Sequence, residues 1–185
     1  MRWDLPISVE IDGKEYKIKD KCDYRIVLDV ISLLNDEEFD IQLRIKGALM
    51  IFYEDLTGLE DFETAIKEMM KIINNGEDAE EQEDSSSPRI MDWEHDFTQI
   101  APPVSRVLGY SVRDANRYTH WFDFLGAYME IGECTFSNII SIRRKRQKGK
   151  KLESWEQEFY RENKKMVDLP QNLTEADKEW LDSNW

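Results

Sequence analysis

The stretch that decides the fold is residues 117–131, RYTHWFDFLGAYMEI. Large apolar residues recur in it every three or four positions, the spacing that places side chains on one face of an α-helix. They are Trp121, Phe124, Leu125, Tyr128 and Ile131, and Tyr118, Phe122 and Met129 widen the arc. The remaining, narrow polar face consists of His120, Asp123, Ala127 and Glu130. The pattern predicts one amphipathic helix over the whole stretch, covered on more than one side and central to its domain.

The composition of the chain limits its function. Its 185 residues suffice for one domain or two small ones. A formal net charge of -14 argues against general nucleic-acid binding, which needs a net basic face. No apolar run approaches the roughly 18–20 residues of a membrane span, and the first residues lack the apolar core of a signal peptide. The isolated Cys22 and Cys134 fit structural thiols in a reducing compartment. We therefore expect a cytoplasmic protein.

Two short alternating runs surround Asp12-Gly13, with Ile7, Val9 and Ile11 before it and Tyr16 and Ile18 after it. This pattern predicts a β-hairpin. A lone hairpin is marginally stable in water, so it must either pack on its own domain or pair with another subunit.

Three helices are predicted to follow the hairpin. Asp20 can cap the first, with Asp23 in its first turn and Asn35-Asp36 at its end. Residues 37–53 fit a strand through Phe39, Ile41, Leu43 and Ile45, and a helix through Ile41, Ile45, Ala48, Leu49 and Phe52. Their length favours the helix. The third repeats Phe62, Ile66, Met69 and Ile73 and can end at Gly76.

Residues 77–88, EDAEEQEDSSSP, contain no large apolar side chain, which predicts an acidic linker or loop. The chain is thus expected to comprise a β-hairpin with helices over 1–76, the linker over 77–90, a helical domain over 91–170 and a tail over 171–185. The predicted fold class is mainly α, with a short N-terminal β-hairpin and two helical halves.

The C-terminal half predicts further helices. Trp93, Phe97 and Ile100 share a helical face, and Pro102-Pro103 should break or kink that helix before it resumes towards Gly109. Thr135 can cap a helix with Phe136, Ile139, Ile140 and Arg143 on one face. Another is expected from Ser154 to about Met166, and Thr174 with Asp177 can open a last short one through Trp180.

The candidate partner-binding residues are aromatic and basic. The aromatic ones are Trp93, Phe97, Trp121, Phe124 and Tyr128, which fit either a groove for a partner helix or the core, with the core as the default. The basic ones are Arg143, Arg144 and Arg146, in the run 143–151. That run fits a solvated helix end, a contact with an acidic surface on a partner or on residues 77–84, or nucleic acid.

Catalytic and metal chemistry have little support. His95 and His120 lie near Asp92, Asp96 and Asp123 in sequence, but no tight ligand spacing joins them. Hydrogen-bonded or capping histidines are the default. No nucleophile motif or glycine-rich phosphate loop is present, so we expect neither an enzyme nor a cofactor.

The C-terminal half carries an ordered set of motifs: DWEHDF at 92–97, a short turn, HWFDFL at 120–125 and FSNIISIR at 136–143. Their order resembles the bacteriophage "gp fifteen" family, encoded among the tail genes of long non-contractile-tailed phages of Gram-positive hosts. The resemblance covers roughly 20–170. The chain departs from the family at Ala101-Pro102-Pro103, where an apolar continuation is usual, which bears on the geometry of that helix.

The resemblance implies a non-catalytic tail assembly chaperone of a phage or prophage. Such a protein would bind the tape-measure protein in the host cytoplasm, help to deliver tail-tube subunits beside a companion chaperone, and leave before the virion is complete. Self-association is an open expectation, and a membrane partner is not expected. The alternatives are a small nucleic-acid-binding or regulatory phage protein that uses residues 143–151, and a structural component of the tail.

Overall fold

The computed structural model describes residues 4–77 and 89–170, in which helices dominate. A two-stranded antiparallel sheet, β1 (Ser8–Ile11) and β2 (Lys14–Lys17), comes first and is followed by the 3-10 helix Lys19–Lys21. The α-helices are α1 (Tyr24–Asn35), α2 (Ile41–Phe52), α3 (Phe62–Ile73), α4 (Trp93–Leu108), α5 (Trp121–Met129), α6 (Thr135–Gln147), α7 (Ser154–Glu162) and α8 (Lys164–Val167). The predicted fold class, mainly α with an N-terminal hairpin, is confirmed. None of the helices in the described ranges is both long and apolar enough to cross a membrane.

The chain forms two compact units. Within the described ranges, unit 1 contains residues 4–77 and 98–134, and unit 2 contains residues 89–97 and 135–170. The predicted division at the acidic segment grouped 98–134 with the C-terminal half, whereas these residues pack with the N-terminal elements. The expected linker, apart from Glu77 and residues 89 and 90, and the tail over 171–185 with its short helix lie outside the described residues.

Aromatic side chains explain why residues 98–134 belong to unit 1. The ring of Tyr24 in α1 stacks on Phe124 in α5, with centroids 4.4 Å apart. The indole N–H of Trp121 donates to the carbonyl of Ile73 at 3.0 Å, and the Trp121 amide donates to Cys22 at 2.9 Å. These contacts join α5 to α1 and α3 across 48 or more residues of sequence, beyond the reach of local patterns.

The hairpin packs on its own unit. Asp12 and Gly13 both have positive φ, 51° and 74°, as a type I′ turn requires. The alternating residues Val9, Ile11 and Tyr16 are buried, and Tyr16 meets the edge of Tyr53 with centroids 6.5 Å apart. The predicted hairpin is therefore present, and the face that it buries lies within unit 1.

Aspartates cap the helices of the N-terminal part. α1 begins one turn later than predicted, because Asp23 rather than Asp20 accepts the amide of Arg25, at 3.0 Å. Asp20 instead lies in the 3-10 helix, with a φ of 49°. The helical interpretation of 37–53 is confirmed by α2, whose cap Asp40 accepts the amides of Gln42 and Leu43. α3 is present as predicted and is capped by Asp61.

The sequence predicts that Pro102-Pro103 breaks or kinks α4, and the break is wrong, because the helix continues through both prolines. The two prolines lack the N–H donors that would reach the carbonyls of residues 98 and 99. Ile100, Ala101 and Val104 are buried beside them, so packing of this face holds the helical path.

α5 is shorter than the predicted 117–131 helix, because His120 caps it. The Nδ1 atom of His120 accepts the amide of Phe122 at 3.0 Å, so Tyr118 and Thr119 precede the helix. The predicted polar face is also wrong in part, since His120 and Ala127 are buried.

Unit 2 has a small core in which Ile139, Ile142 and Val167 are fully buried. α6 ends at Gln147, and Gly149, two residues later, has a φ of 62°. The Lys150 amide donates to the Lys145 carbonyl and the Gly149 amide donates to the Arg146 carbonyl, which is the Schellman arrangement. The helix expected from Ser154 to Met166 is interrupted at Asn163 and forms α7 and α8.

Candidate partner-binding site

Two of the predicted partner-binding aromatics lie in the core of unit 1. Trp121 is 1% exposed and Phe124 is 0% exposed, and their rings stack with centroids 5.8 Å apart. Their apolar surface is already covered by the unit's own side chains, so the groove interpretation does not hold for these two residues and the core interpretation does.

The other three predicted aromatics are half-buried. Tyr128 lies on α5 in unit 1, and Trp93 and Phe97 lie on the first turns of α4 in unit 2. A role for them in partner binding stays a prediction.

Arg143, which opens the predicted basic run, is an interior residue of unit 2. Its guanidinium and the carboxylate of Asp96 are both buried, and they meet through Nη1–Oδ2 and Nη2–Oδ1 contacts of 2.6 and 2.8 Å. The remaining N–H groups donate to the carbonyls of Val167, Ile90 and Met166 at 2.6, 3.1 and 3.1 Å. All five guanidinium donors therefore have acceptors. This residue ties α6 to α4 and to the end of α8, and it is not available to a partner.

Two more cations of the run are engaged within unit 2. The ammonium of Lys145 lies 2.7 and 2.8 Å from the carboxylate oxygens of Glu156, which is 1% exposed. Burial pushes the pKa of Glu156 up, but Lys145 and the Glu153 amide outweigh it, and the net pKa lies below the ordinary value. Arg146 pairs with Asp168 and stacks over Tyr160, 4.1 Å from its centroid.

The exposed part of the basic run is thus smaller than the sequence indicated. Arg144, Lys148, Lys150 and Lys151 are exposed at the end of α6. Cations there also suit the negative end of the helix dipole. Arg143, Lys145 and Arg146 are paired with carboxylates of unit 2. Three of the seven cations in the run 143–151 are therefore already engaged, which weakens the nucleic-acid alternative.

The histidines considered as metal ligands lie in different units. His120 in unit 1 is buried and uses both ring nitrogens: Nδ1 accepts from Phe122, and Nε2 lies 2.9 Å from the carbonyl of Pro6, to which it must donate. His95 in unit 2 donates its amide to Asp92. The capping role expected of His120 is confirmed, although the residue is not at the surface.

An exposed apolar surface lies elsewhere, on α2. Leu43 and Met50 are 60% and 70% exposed, and Lys46 is exposed between them. At i, i+3 and i+7 these three side chains fall within about 60° of one another around the helix. We call them the α2 outer face; Phe39 and Ile41, also exposed, lie just before it. In the described residues, four of the eleven exposed large apolar side chains thus fall within a 12-residue stretch, which distinguishes this surface from scattered exposure.

The sequence contained a signal for this surface. Residues 37–53 fit both the strand period and the helix period, which happens when apolar residues lie on more than one face. Once α2 buries Ala48, Leu49 and Phe52 against unit 1, Leu43 and Met50 remain on the opposite side. An apolar content beyond what one buried helix face needs was therefore the sequence signal for this exposed surface.

The charge of α2 differs from that of its unit. The described part of unit 1 contains 22 acidic and 12 basic residues, yet Ile41–Phe52 contains Arg44 and Lys46 and no Asp or Glu. Arg44 is half-buried and donates to the Leu34 carbonyl at 3.0 Å, which leaves Lys46 as the cation of the outer face. The acidic residues nearest in sequence lie outside the helix, at 36–38 and 40 before it and at 54 and 55 after it.

These features define a mainly helical, two-unit protein with an exposed apolar surface on the outer side of one helix. The family model described as Bacteriophage Gp15 protein matches residues 1–169, and the chain belongs to that phage family, as its motifs predicted. Neither the curated proteins nor the solved structures gave a match.

Proposed function

We propose that this phage protein is a non-catalytic tail assembly chaperone that binds the tape-measure protein while the tail is built. Tail-tube subunits and a companion chaperone are its further partners. It acts in the host cytoplasm and is absent from the finished virion. The resemblance of residues 92–143 to tail-gene products and the family match support a role in phage biology.

The observation that carries the proposal is the α2 outer face. A tape-measure protein is a long helical chain, and its apolar stripes aggregate unless they are covered. A helix that exposes Leu43 and Met50 can lie along such a stripe, as helices do in helix-in-groove recognition. The formal net charge of -14 can then keep the complex in solution.

Co-expression tests the proposal. The tape-measure protein of the same phage is expressed alone, with this chain, and with an unrelated small acidic helical protein as the control. We expect its soluble fraction to rise several-fold with this chain only. An insoluble tape-measure protein in all three cultures would rule the chaperone function out.

The alternative of a structural tail component is separated by mass spectrometry of purified virions. An assembly chaperone should be missing from them, whereas a tail component should be present in a fixed ratio to the tail-tube subunit. Peptides of this chain at that ratio would replace the chaperone proposal with the structural one.

A further inference from the structure

The α2 outer face has the spacing of a helix-docking seam. Leu43, Lys46 and Met50 stand at i, i+3 and i+7, and the opposite face of the same helix is buried through Phe52. A helix that is apolar on two sides is expected to be covered on both. The seam is apolar at its ends and carries one cation in the middle.

That central cation indicates what covers the seam. An incoming helix places apolar side chains against Leu43 and Met50 and one side chain against Lys46. A carboxylate at that middle position gains an ion pair at the edge of an apolar contact, whereas a cation there is repelled. α2 itself has no acidic residue that could neutralise Lys46.

The same cation argues against a second copy of this chain. A two-fold pairing of α2 with α2 in antiparallel order sets Leu43 of one copy opposite Met50 of the other, and the two Lys46 side chains then meet near the axis. Parallel pairing also sets Lys46 against Lys46. Like charges face each other in both arrangements, so a different chain fits the seam better.

We infer that the α2 outer face binds a partner helix whose contact residues are, in order, apolar, acidic and apolar. The carboxylate of the acidic residue lies opposite Lys46. The inference rests on the proposed function for the partner's identity, a helical segment of the tape-measure protein. It assigns recognition to Leu43, Lys46 and Met50.

Two designed helical peptides test the chemistry. They share an apolar i, i+7 pair and neutral glutamine flanks, and they differ only in a Glu or a Lys at the central seam position. We expect the Glu peptide to bind this protein about tenfold more tightly than the Lys peptide, measured by fluorescence anisotropy. Non-specific attraction to a protein of net charge -14 predicts the opposite order. Equal binding, or tighter binding of the Lys peptide, overturns the inference.

Variants then locate the site. Lys46→Glu should reverse the peptide preference, and the double variant Leu43→Gln/Met50→Gln should weaken both peptides at least about tenfold. Met129→Gln is the matched control, because Met129 is 67% exposed on α5, a different helix of the same unit. All positions are exposed, so the melting temperatures should agree with that of the wild type. The assignment is contradicted if the Met129 variant loses binding as the double variant does, or if the double variant keeps it.

The failure of this inference can be told apart from that of the proposed function. If the double variant keeps the tape-measure protein soluble as well as the wild type does, the chaperone function stands and the α2 assignment falls. If no form of the chain solubilises that protein while the Glu peptide still binds at α2, the function falls and the surface assignment stands. A wild-type dimer in sedimentation that the double variant converts to a monomer would show that a second copy covers the seam.

Discussion

Arg143 and Asp96 form a buried two-point ion pair that joins α6 to the first turn of α4, with N–O distances of 2.6 and 2.8 Å. The two residues are 47 positions apart, and both belong to unit 2. Asp96 also accepts the amide of Asp92 at 3.0 Å, so the same carboxylate stabilises the beginning of α4. The pair therefore joins two helices of unit 2 that are far apart in sequence.

Removing one member of this pair should destabilise unit 2. Arg143→Met leaves the Asp96 carboxylate buried without its partner, which costs about 3–5 kcal/mol of unfolding free energy. Urea denaturation measures the loss, and hydrogen exchange of the α6 amides assigns it to unit 2. The control is Arg144→Met, at an exposed neighbouring position, which should change stability by no more than about 0.5 kcal/mol. Equal stability of the two variants would show that the ion pair contributes little.

The capping role of His120 gives a graded prediction. His120→Ala removes both the acceptor for the Phe122 amide and the donor to Pro6, and should destabilise unit 1 by about 1–3 kcal/mol. His120→Asn keeps a capping oxygen and should lose less. Thermal unfolding ranks the variants. If the asparagine variant is no more stable than the alanine variant, the helix cap is not the main contribution of His120 to stability.

The two cysteines should differ in reactivity. Cys22 is fully buried, and burial raises the pKa of its thiol to about 12, so almost no thiolate exists near neutral pH. Cys134 is partly exposed. Brief treatment of the native protein with iodoacetamide at pH 8 should label Cys134 alone, and labelling of both in urea is the control. Native labelling of Cys22 at a rate similar to that of Cys134 would contradict its burial.

Alkaline pH should weaken the fold. Burial raises the pKa of Cys22, Tyr24 and Tyr53 above their ordinary values. The unfolded chain therefore releases these protons at a lower pH than the folded chain, and the free energy of unfolding falls as the pH rises above about 9. Urea titrations between pH 8 and pH 11 measure the slope. In Cys22→Ala the free energy of unfolding should fall less steeply over the lower part of this pH range. A wild-type free energy of unfolding that stays constant from pH 8 to pH 11 would contradict the prediction.

Local chemistry made much of the fold predictable. The Asp12-Gly13 turn, the helical stripes of α1 and α3 and the glycine after α3 depend on residues close in sequence, which is why their patterns could be interpreted directly. The shortened α5 could not be predicted in this way. His120 is held in the capping position by its burial and by its hydrogen bond to the Pro6 carbonyl, which is far away in sequence. Packing likewise overrode the helix-breaking tendency of Pro102 and Pro103.

The candidate site was predicted less well than the fold. Aromatic residues suit both cores and interfaces, and only the structure shows that Trp121 and Phe124 are core. Arg143 looked like part of a surface charge run because its partner Asp96 is far away in sequence. The exposed Leu43 and Met50 were visible only as surplus apolar residues in a segment that fitted two periodicities.

Affinity co-purification tests the central claim most directly. This chain, tagged and co-expressed with the tape-measure protein of its own phage, is purified in moderate salt next to the Leu43→Gln/Met50→Gln variant. The chaperone account predicts that the tape-measure protein co-elutes with the wild type in a stable ratio and is depleted from the variant. A folded wild-type protein that elutes alone would contradict it.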